Sequence, residues 1–283
     1  MEPKRFAVGS NDQIPALVGG SVGAFLLRGG TGALAAGWKA EVVEDDPSQY
    51  SITRLPGGKM LKETMGTYAR PAEMLQIYEF ESCPYCRKVR ELVNCLDLDA
   101  TFYPVTDRSG AEDAWRAKAQ VVADEYGLEG RQRFPLLEDP GAKVAMYESD
   151  DIIAYLMKNY GGGEDVPLML RLGPVTTITA GLASLARGGA GGGYNAPASA
   201  RKAEQPIDFY GYEPSPFSKV VRERLCELGL AHNWYTTPRG SPTRQMMWDK
   251  TGTFQAPYIE DPNTGVKMFE STQIIEYLNE TYA

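Results

Sequence analysis

Two cysteines separated by two residues give the clearest chemical signal in this sequence. Cys83 and Cys86 enclose Pro-Tyr, and the motif follows a strand-like run and opens a helix-like run. The thiolate is the nucleophile in thiol chemistry, and free N–H groups at a helix N-terminus lower a cysteine pKa from about 8.5 to between about 3.5 and 7.5. Cys83 would precede the helix, whereas Cys86 would lie one turn inside it. We therefore predict that Cys83 attacks a disulfide and that Cys86 resolves the mixed disulfide that forms.

Charged residues flank this motif on both sides. Glu79 and Glu81 precede it, and Arg87, Lys88 and Arg90 follow it. Positive charges nearby favour the thiolate, whereas negative charges oppose it. The sequence thus predicts a redox-active pair and leaves open how strongly Cys83 is activated.

A metal site is the alternative interpretation of a Cys-x-x-Cys motif. A structural zinc site needs four ligands, commonly two such pairs or one pair with two histidines. The two remaining cysteines, Cys95 and Cys226, have no partner at that spacing, and His232 is the only histidine. We predict no metal site, inert core thiols at Cys95 and Cys226, and a packed, structural His232. A single histidine also argues against Cys-His and Ser-His-Asp catalysis.

Composition and charge restrict the class of protein. The chain has 283 residues, 43% hydrophobic and 23% charged, which is typical of a globular protein of about two domains. Its net charge of −8 provides no basic field for nucleic acid, so we exclude nucleic acid as a partner.

The apolar segment over residues 14–38 is interrupted by Arg28 and by two Gly-Gly pairs. It falls short of the roughly 20 uninterrupted apolar residues of a spanning helix. We expect it to cover the surface of this protein or of a partner; it permits shallow membrane contact but not spanning.

The chain contains one unit twice. The stretch YEFESCPYCRKVR at Tyr78–Arg90 matches YGYEPSPFSKVVR at Tyr210–Arg222, and Phe134–Leu156 matches Ala256–Leu278. We identify no repeat and no motif in residues 1–70. The domains predicted from this pattern are an N-terminal extension of uncertain structure, a first repeat unit, a Gly- and Ala-rich linker with a short apolar helix between the two units, and a second repeat unit, over residues 1–73, 74–160, 161–205 and 206–283.

Each copy has the pattern of an α/β domain. The predicted order is strand, helix, strand, helix, strand, strand, helix. The first strand–helix–strand unit requires a right-handed crossover and a parallel strand pair, and the hairpin adds antiparallel strands. We therefore predict a mixed four-stranded sheet flanked by helices in each copy. Ser149 and Ser271 are expected to be the N-caps of the last helices.

Cys-Pro-Tyr-Cys at the first strand–helix junction resembles the motif of glutaredoxin, which has a thioredoxin-like fold. The pairs Phe134-Pro135 and Glu148-Ser149 are similar to the glutathione-binding elements in the N-terminal domain of glutathione transferases. Two such domains with an apolar connector resemble the tandem thioredoxin-fold proteins of plant and algal chloroplasts. This resemblance covers residues 74–283 and implies two tandem thioredoxin-like domains, glutathione as the cofactor and a chloroplast location.

The resemblance also implies which residues hold glutathione. Pro135 and Pro257 occupy the position of the cis-proline of this superfamily, which exposes the backbone of Phe134 or Ala256 to the cysteinyl part of glutathione.

The second implied element is the Glu-Ser pair at the start of the last helix, Glu148-Ser149 in the first copy and Glu270-Ser271 in the second. The helix N-terminus and the serine hydroxyl favour the γ-glutamyl carboxylate, and the glutamate can meet the glutathione amine.

The second copy has serines in place of both cysteines, at Ser215 and Ser218, and cannot carry out dithiol exchange. Its motif is similar to that of serine-type plant transferases, which implies that Ser215 donates a hydrogen bond to the glutathione thiolate. The alternative is that Ser215 only caps the helix. The resemblance further leaves open an iron–sulfur cluster shared by two chains through Cys83 and glutathione.

Three functional hypotheses follow. The leading one is a glutathione-linked thiol–disulfide oxidoreductase, in which Cys83 attacks a protein–glutathione mixed disulfide and Cys86 or a second glutathione releases it. Its partners are glutathione and a protein thiol or disulfide. The second hypothesis is a non-catalytic binding module. The third is a transferase that uses Ser215, with an acceptor pocket between the two copies and the N-terminal extension.

Overall fold

The computed structural model of the chain describes residues 23, 25–106, 114–197 and 200–283. A small antiparallel sheet precedes two similar α/β units. Its strands are β1 (Lys39–Glu44), β2 (Arg54–Leu55) and β3 (Lys59–Thr64). The order within the small sheet is β1-β3-β2.

Both α/β units have the predicted order of elements. The first consists of β4 (Leu75–Glu79), α1 (Pro84–Cys95), β5 (Ala100–Pro104), α2 (Ala114–Glu125), β6 (Leu136–Asp139), β7 (Val144–Met146) and α3 (Ser149–Tyr160). A linker carries a 3-10 turn (Leu168–Leu170) and α4 (Pro174–Leu185). The second unit consists of β8 (Ile207–Gly211), α5 (Pro216–Glu227), β9 (His232–Thr236), α6 (Thr243–Thr251), β10 (Tyr258–Asp261), β11 (Val266–Phe269) and α7 (Ser271–Tyr282).

Strand pairing confirms the predicted fold class. In the first unit β4 pairs with β5 in parallel and with β6 in antiparallel orientation, and β6 pairs with β7 in antiparallel orientation. The second unit repeats this arrangement. Each unit is therefore a thioredoxin-like domain with a mixed four-stranded sheet.

The two sheets are joined edge to edge. Strand β5 pairs with β9 in antiparallel orientation, with Thr101 opposite Asn233 and Phe102 opposite His232. The result is one eight-stranded sheet in the order β11-β10-β8-β9-β5-β4-β6-β7. His232 is buried and stacks on Phe102 with a centroid distance of 5.7 Å, so this histidine is packed as predicted. Burial lowers the pKa of His232 to about 3. The joined edges leave neither central strand open to another chain.

Helices α1 and α5 bury one apolar face each against this sheet. The buried side chains of this face include Val89 and Val93 of α1 and its C-cap residue Leu96, the residues that the spacing predicts. Helix α4 of the linker packs against α1. Its opposite face exposes Val175, Ile178 and other apolar side chains. No helix in the described ranges is long and apolar enough to cross a membrane.

The segment before β1 contains part of the repeat that the sequence analysis missed. Arg28 forms an ion pair with Glu91 of α1, and Arg187 forms one with Glu223 of α5. Glu91 and Glu223 occupy matching positions in the repeated helices, and both arginines stand in Arg-Gly-Gly-x-Gly sequences. The prediction that residues 1–70 contain no repeat is therefore wrong. Residues 14–22 and 24 of the apolar segment lie outside the described residues.

Candidate functional site

The Cys-Pro-Tyr-Cys motif lies at the N-terminus of α1. Cys83 is the N-cap residue, with an extended backbone, and Pro84 is the first helical residue. The backbone N–H of Cys86 donates to the Sγ of Cys83, with a nitrogen–sulfur distance of 3.3 Å. Both cysteines are free thiols, and Cys83 is 4% exposed and Cys86 1% exposed. The position of Cys83 is the one that activates a thiolate.

The two thiols have opposite pKa shifts. Hydrogen bonding from the Cys86 side chain is the largest cause that lowers the pKa of Cys83; burial and the Glu79 carboxylate oppose it, while the Cys86 backbone N–H and Arg90 assist it. Burial raises the pKa of Cys86 well above its usual value, and the hydrogen bond to Cys83 adds to that rise. A negative charge on this pair is therefore stabilised on Cys83 rather than on Cys86.

A cluster of buried charges connects α1 with α5. We call it the ion cluster, and its members are Arg28, Glu79, Glu81, Arg87, Arg90, Glu91, Arg187, Glu213, Lys219, Arg222 and Glu223. Its members come from both α/β units, from the segment before β1 and from the linker. Buried ions need partners because desolvation costs several kcal/mol for each of them.

Two glutamates at matching positions hold the centre of the ion cluster. The Nζ of Lys219 lies 2.6 Å from a carboxylate oxygen of both Glu81 and Glu213. Arg222 pairs with both glutamates, and Arg90 lies 3.3 Å from Glu81 and 3.5 Å from Glu213. Although burial opposes ionisation, these cations hold the pKa of Glu81 well below its usual range and the pKa of Glu213 at about 2. Each glutamate therefore binds cations from both units.

The peptide bonds before both prolines that the resemblance assigns to the cis-proline position are cis. They are the bonds Phe134-Pro135 and Ala256-Pro257. Each precedes a strand of its sheet, and the prolines are buried while Phe134 and Ala256 are half-buried. The guanidinium of Arg116 lies 5.0 Å from the centroid of the Phe134 ring. The assignment of these residues to glutathione stays a prediction.

In both Glu-Ser pairs the N-cap of the helix is the glutamate and not the serine. Ser149 and Ser271 are the first helical residues, and the N-caps are Glu148 and Glu270, with no side-chain hydrogen bond to the helix. The prediction that the serines are N-caps is therefore wrong by one position. Both glutamates have positive φ, 64° and 75°, which is rare for a residue with a side chain and accumulates at functional sites.

These uncapped helix starts are suited to an anion. The carboxylate of Glu148 accepts a hydrogen bond of 2.6 Å from Arg133, and Glu270 accepts one of 2.6 Å from Gln255. Arg133 and Gln255 each stand two residues before the cis-proline. Since no side chain caps the helix, its first N–H groups are available to a carboxylate ligand.

Ser215 reproduces the geometry of Cys83 in the second unit. It is the N-cap of α5, and its Oγ accepts a hydrogen bond of 3.1 Å from the backbone N–H of Ser218. The capping interpretation of Ser215 is thus correct in geometry. Its hydroxyl hydrogen is not used in this bond, because the oxygen is the acceptor.

A narrow cleft of about 20 Å³ opens beside Ser215. Its wall is formed by four parts of the chain: the segment before β1, α1, the linker and α5. The aromatic, basic and hydroxyl side chains in the wall are Phe25, Arg28, Arg87, Arg187, Ser215 and Lys219. Sequence reasoning missed the contributions of Phe25 and Arg28. The shared Arg-Gly-Gly-x-Gly pattern was the signal in the sequence that could have identified Arg28.

The described part of the chain contains no group of three or more His, Cys, Asp or Glu side chains placed to hold a metal ion. The prediction that the protein binds no metal stays a prediction.

Comparison with known proteins identifies one family. The family model described as glutathione S-transferase, N-terminal domain, matches residues 77–164 and again residues 209–283. Together the two matches cover more than half of the chain. No curated protein and no solved structure matches the chain.

Proposed function

This chain belongs to the glutathione S-transferase N-terminal domain family, and from that premise we propose that it is a glutathione-linked thiol–disulfide oxidoreductase with Cys83 as the nucleophile. The family is associated with glutathione chemistry in general. One observation supports the specific reaction: the hydrogen bonds that Cys86 donates at the start of α1 lower the pKa of Cys83, whereas burial raises that of Cys86.

The reaction consists of disulfide exchanges. The Cys83 thiolate attacks the glutathione sulfur of a protein–glutathione disulfide, and the protein thiolate leaves and takes up a proton. Cys86 then loses its proton and attacks the Cys83 sulfur, which forms a Cys83–Cys86 disulfide and releases glutathione. Alternatively, a second glutathione thiolate attacks the bound glutathione sulfur and leaves as oxidised glutathione, which restores the Cys83 thiolate.

Glutathione would lie across the start of α3. The backbone of Phe134 would pair with its cysteinyl part, and Ser149 with the first N–H groups of α3 would bind its γ-glutamyl carboxylate. Glu148 would meet its amine. In the second unit Ala256, Glu270 and Ser271 would play the same parts. A chloroplast location belongs to this proposal and rests on the resemblance; imaging a fluorescent fusion in plant cells tests it.

Intact mass spectrometry tests the nucleophile. The reduced protein is incubated with oxidised glutathione, and we expect the wild type to gain one glutathionyl group or to form an internal disulfide. Cys86→Ser should accumulate the glutathionyl adduct, since the resolving thiol is absent. Cys83→Ser should remain unchanged.

Cys95→Ser is the matched control. Burial raises the pKa of Cys95 to about 12, so this thiol should not react and the variant should behave like the wild type. An unmodified wild-type mass, or an adduct that persists in Cys83→Ser, would contradict the proposed nucleophile.

A transferase that uses Ser215 is the second candidate, because Ser215 is the N-cap of α5 and its hydroxyl hydrogen is not used in the capping bond. Its hydroxyl would donate a hydrogen bond to the glutathione thiolate, which would attack the electrophile. Conjugation of glutathione to an aryl halide tests this, with Ser215→Ala expected to lose activity and Ser218→Ala as the control.

If neither the Cys83 nor the Ser215 variant changes any activity, the binding module is the remaining hypothesis.

A further inference from the structure

A groove of about 440 Å³ lies at the C-terminal end of α1. Four parts of the chain line it: the glycine-rich stretch over residues 29–32, the end of α1, the last turn of α3, and the start of the linker with its 3-10 turn. Its volume is within the range of about 300–1,000 Å³ that is typical of small-molecule sites. Cys83 caps the opposite end of α1, a helix of twelve residues and therefore about 18 Å long. The groove is thus separate from the proposed nucleophile.

The walls of this groove are mainly apolar. Leu34 lines it from one side and Leu168 from the other, and these side chains are 43% and 60% exposed. Met157 and Met169 also line it and are half-buried. A bound molecule would remove the leucines from water, which is favourable in proportion to the apolar area covered. Methionine side chains adapt to irregular shapes and make favourable sulfur contacts with aromatic rings. The walls therefore suit an apolar and preferably aromatic body.

The charged side chains of the groove are both acidic. Glu164 and Asp165 line it, and among the described residues that line it none has a basic side chain. The Tyr68 hydroxyl donates a hydrogen bond of 2.8 Å to Oε1 of Glu164, which leaves the charge of that carboxylate without an ion pair in the described ranges. Asp165 is 92% exposed on its side chain, and Arg171, outside the groove, lies 3.9 Å from it. The potential at the mouth of the groove therefore favours a cation.

We propose that this groove binds a small organic monocation, whose ammonium group faces Glu164 and Asp165 and whose apolar body packs against Leu168 and the two methionines. A bare metal ion does not fit the same walls, because Ca²⁺ and Mg²⁺ require about six oxygen ligands and most of the lining is apolar. The cysteine motif, Ser215 and the residues assigned to glutathione do not line the groove. The proposal therefore does not rest on the proposed function.

Nuclear magnetic resonance titrations of the full chain with phenethylamine at pH 7 test the site, in about 0.15 M salt to screen the net charge of −8. Phenethyl alcohol has the same shape without the charge, and ethylamine has the charge without the ring. We expect the amine to bind about threefold or more tightly than the alcohol, because an exposed ion pair changes affinity by about 1.5- to 5-fold and two carboxylates are present. Ethylamine should bind more weakly than both. Absence of saturable phenethylamine binding in the millimolar range, or equal affinity for the amine and the alcohol, would overturn the proposal.

Removing the two charges tests the assigned position of the ammonium group. The double variant Glu164→Gln and Asp165→Asn should lose the preference for the amine and keep the affinity for the alcohol. Both residues are exposed, and the glutamine keeps an acceptor for the Tyr68 hydroxyl, so we expect thermal unfolding to be unchanged. Glu44→Gln, at a carboxylate whose side chain is 80% exposed outside the groove, is the control and should keep the preference. A preference that persists in the double variant would refute the site.

Shortening one wall tests the assigned position of the apolar body. Leu168→Ala should weaken the amine and the alcohol equally, by about threefold or more, because it removes methyl and methylene groups that the ligand would cover. Leu185→Ala makes the same change at a leucine that is 72% exposed outside the groove, and should have no effect. Equal amine affinities of these two variants would place the ligand elsewhere and contradict the proposal.

Discussion

At the scale of single residues, Cys83 and Ser215 show how one backbone position serves two different side chains. Both are N-caps, with φ values of −72° and −69°, and both accept a hydrogen bond from the N–H three residues later. Glu79 has no counterpart, because Gly211 stands at the matching position. The Glu79 carboxylate opposes ionisation of Cys83. In the first unit, therefore, the helix terminus favours the Cys83 thiolate and the Glu79 carboxylate opposes it.

Removing that acid should activate the thiol. Since the Glu79 charge raises the pKa of Cys83, Glu79→Gln should lower this pKa. The alkylation rate of Cys83 by iodoacetamide should consequently rise at pH values below the pKa and remain unchanged well above it. The measurement is a pH series of rates by peptide mass spectrometry, with Glu44→Gln at an exposed site as the control. A midpoint that moves to higher pH in Glu79→Gln would contradict the assigned role.

At the scale of elements, the glycines of the linker determine how closely it covers the motif. The carbonyl of Gly191 accepts a hydrogen bond of 3.3 Å from the N–H of Glu81. A Cβ added to Gly192 would lie 2.2 Å from the Oγ of Ser82, next to Cys83. Helix α4 reaches the same loop, since a Cβ on Gly181 would lie 4.0 Å from Pro84. The linker is thus a cover for the loop that carries the nucleophile.

A methyl group at Gly192 should displace this cover. We expect Gly192→Ala to increase the alkylation rate of Cys83 and to lower the free energy of unfolding by about 1–3 kcal/mol, the usual cost of overpacking. Gly193→Ala is the matched control, because a Cβ there would meet nothing within 4 Å. Alkylation kinetics and urea unfolding of both variants provide the check. Equal alkylation rates for the two variants would show that the linker does not restrict access to Cys83.

At the scale of the whole molecule, the joined sheet and the ion cluster make the two units one folded body. The β5–β9 pairing supplies backbone hydrogen bonds, and Glu81 binds Arg222 and Lys219 of the opposite unit. The segment before β1 is attached through Arg28, and β1–β3 are connected to α6, where Arg244 donates to the Tyr50 hydroxyl. Unfolding of one unit would expose buried charges in the other.

Neutralising one central glutamate should therefore destabilise both units together. Glu81→Gln leaves buried cations without their counter-charge, and the expected loss in the free energy of unfolding is about 3–5 kcal/mol. Glu44→Gln removes an exposed pair with Lys59 and should cost less than about 1 kcal/mol. Urea unfolding followed by far-ultraviolet circular dichroism should show one transition. Two separated transitions, with only the first shifted in Glu81→Gln, would show that the units are independent.

Local sequence patterns predicted the duplicated unit, the order of its elements, the place of the cysteine motif and the position of His232 in the core. These features depend on neighbours close in the chain, so periodicity and turn residues were sufficient. The same local rules placed the N-caps of α3 and α7 one residue too far along, because a serine hydroxyl is a good cap in most contexts. In this protein Glu148 and Glu270 are the N-cap residues and have positive φ, a conformation that helix-capping propensities do not predict.

The joined sheet, the ion cluster and the cleft beside Ser215 depend on long-range packing that no local pattern predicts. Arg28 and Glu91 are 63 residues apart, and Glu81 and Lys219 are 138 residues apart. Contacts at such separations depend on which faces and edges pack together, and a charged residue has the same appearance in sequence whether it is solvated or buried. The identity of each charge was therefore in the sequence, whereas its partner and its burial arose from the packing of two units against each other.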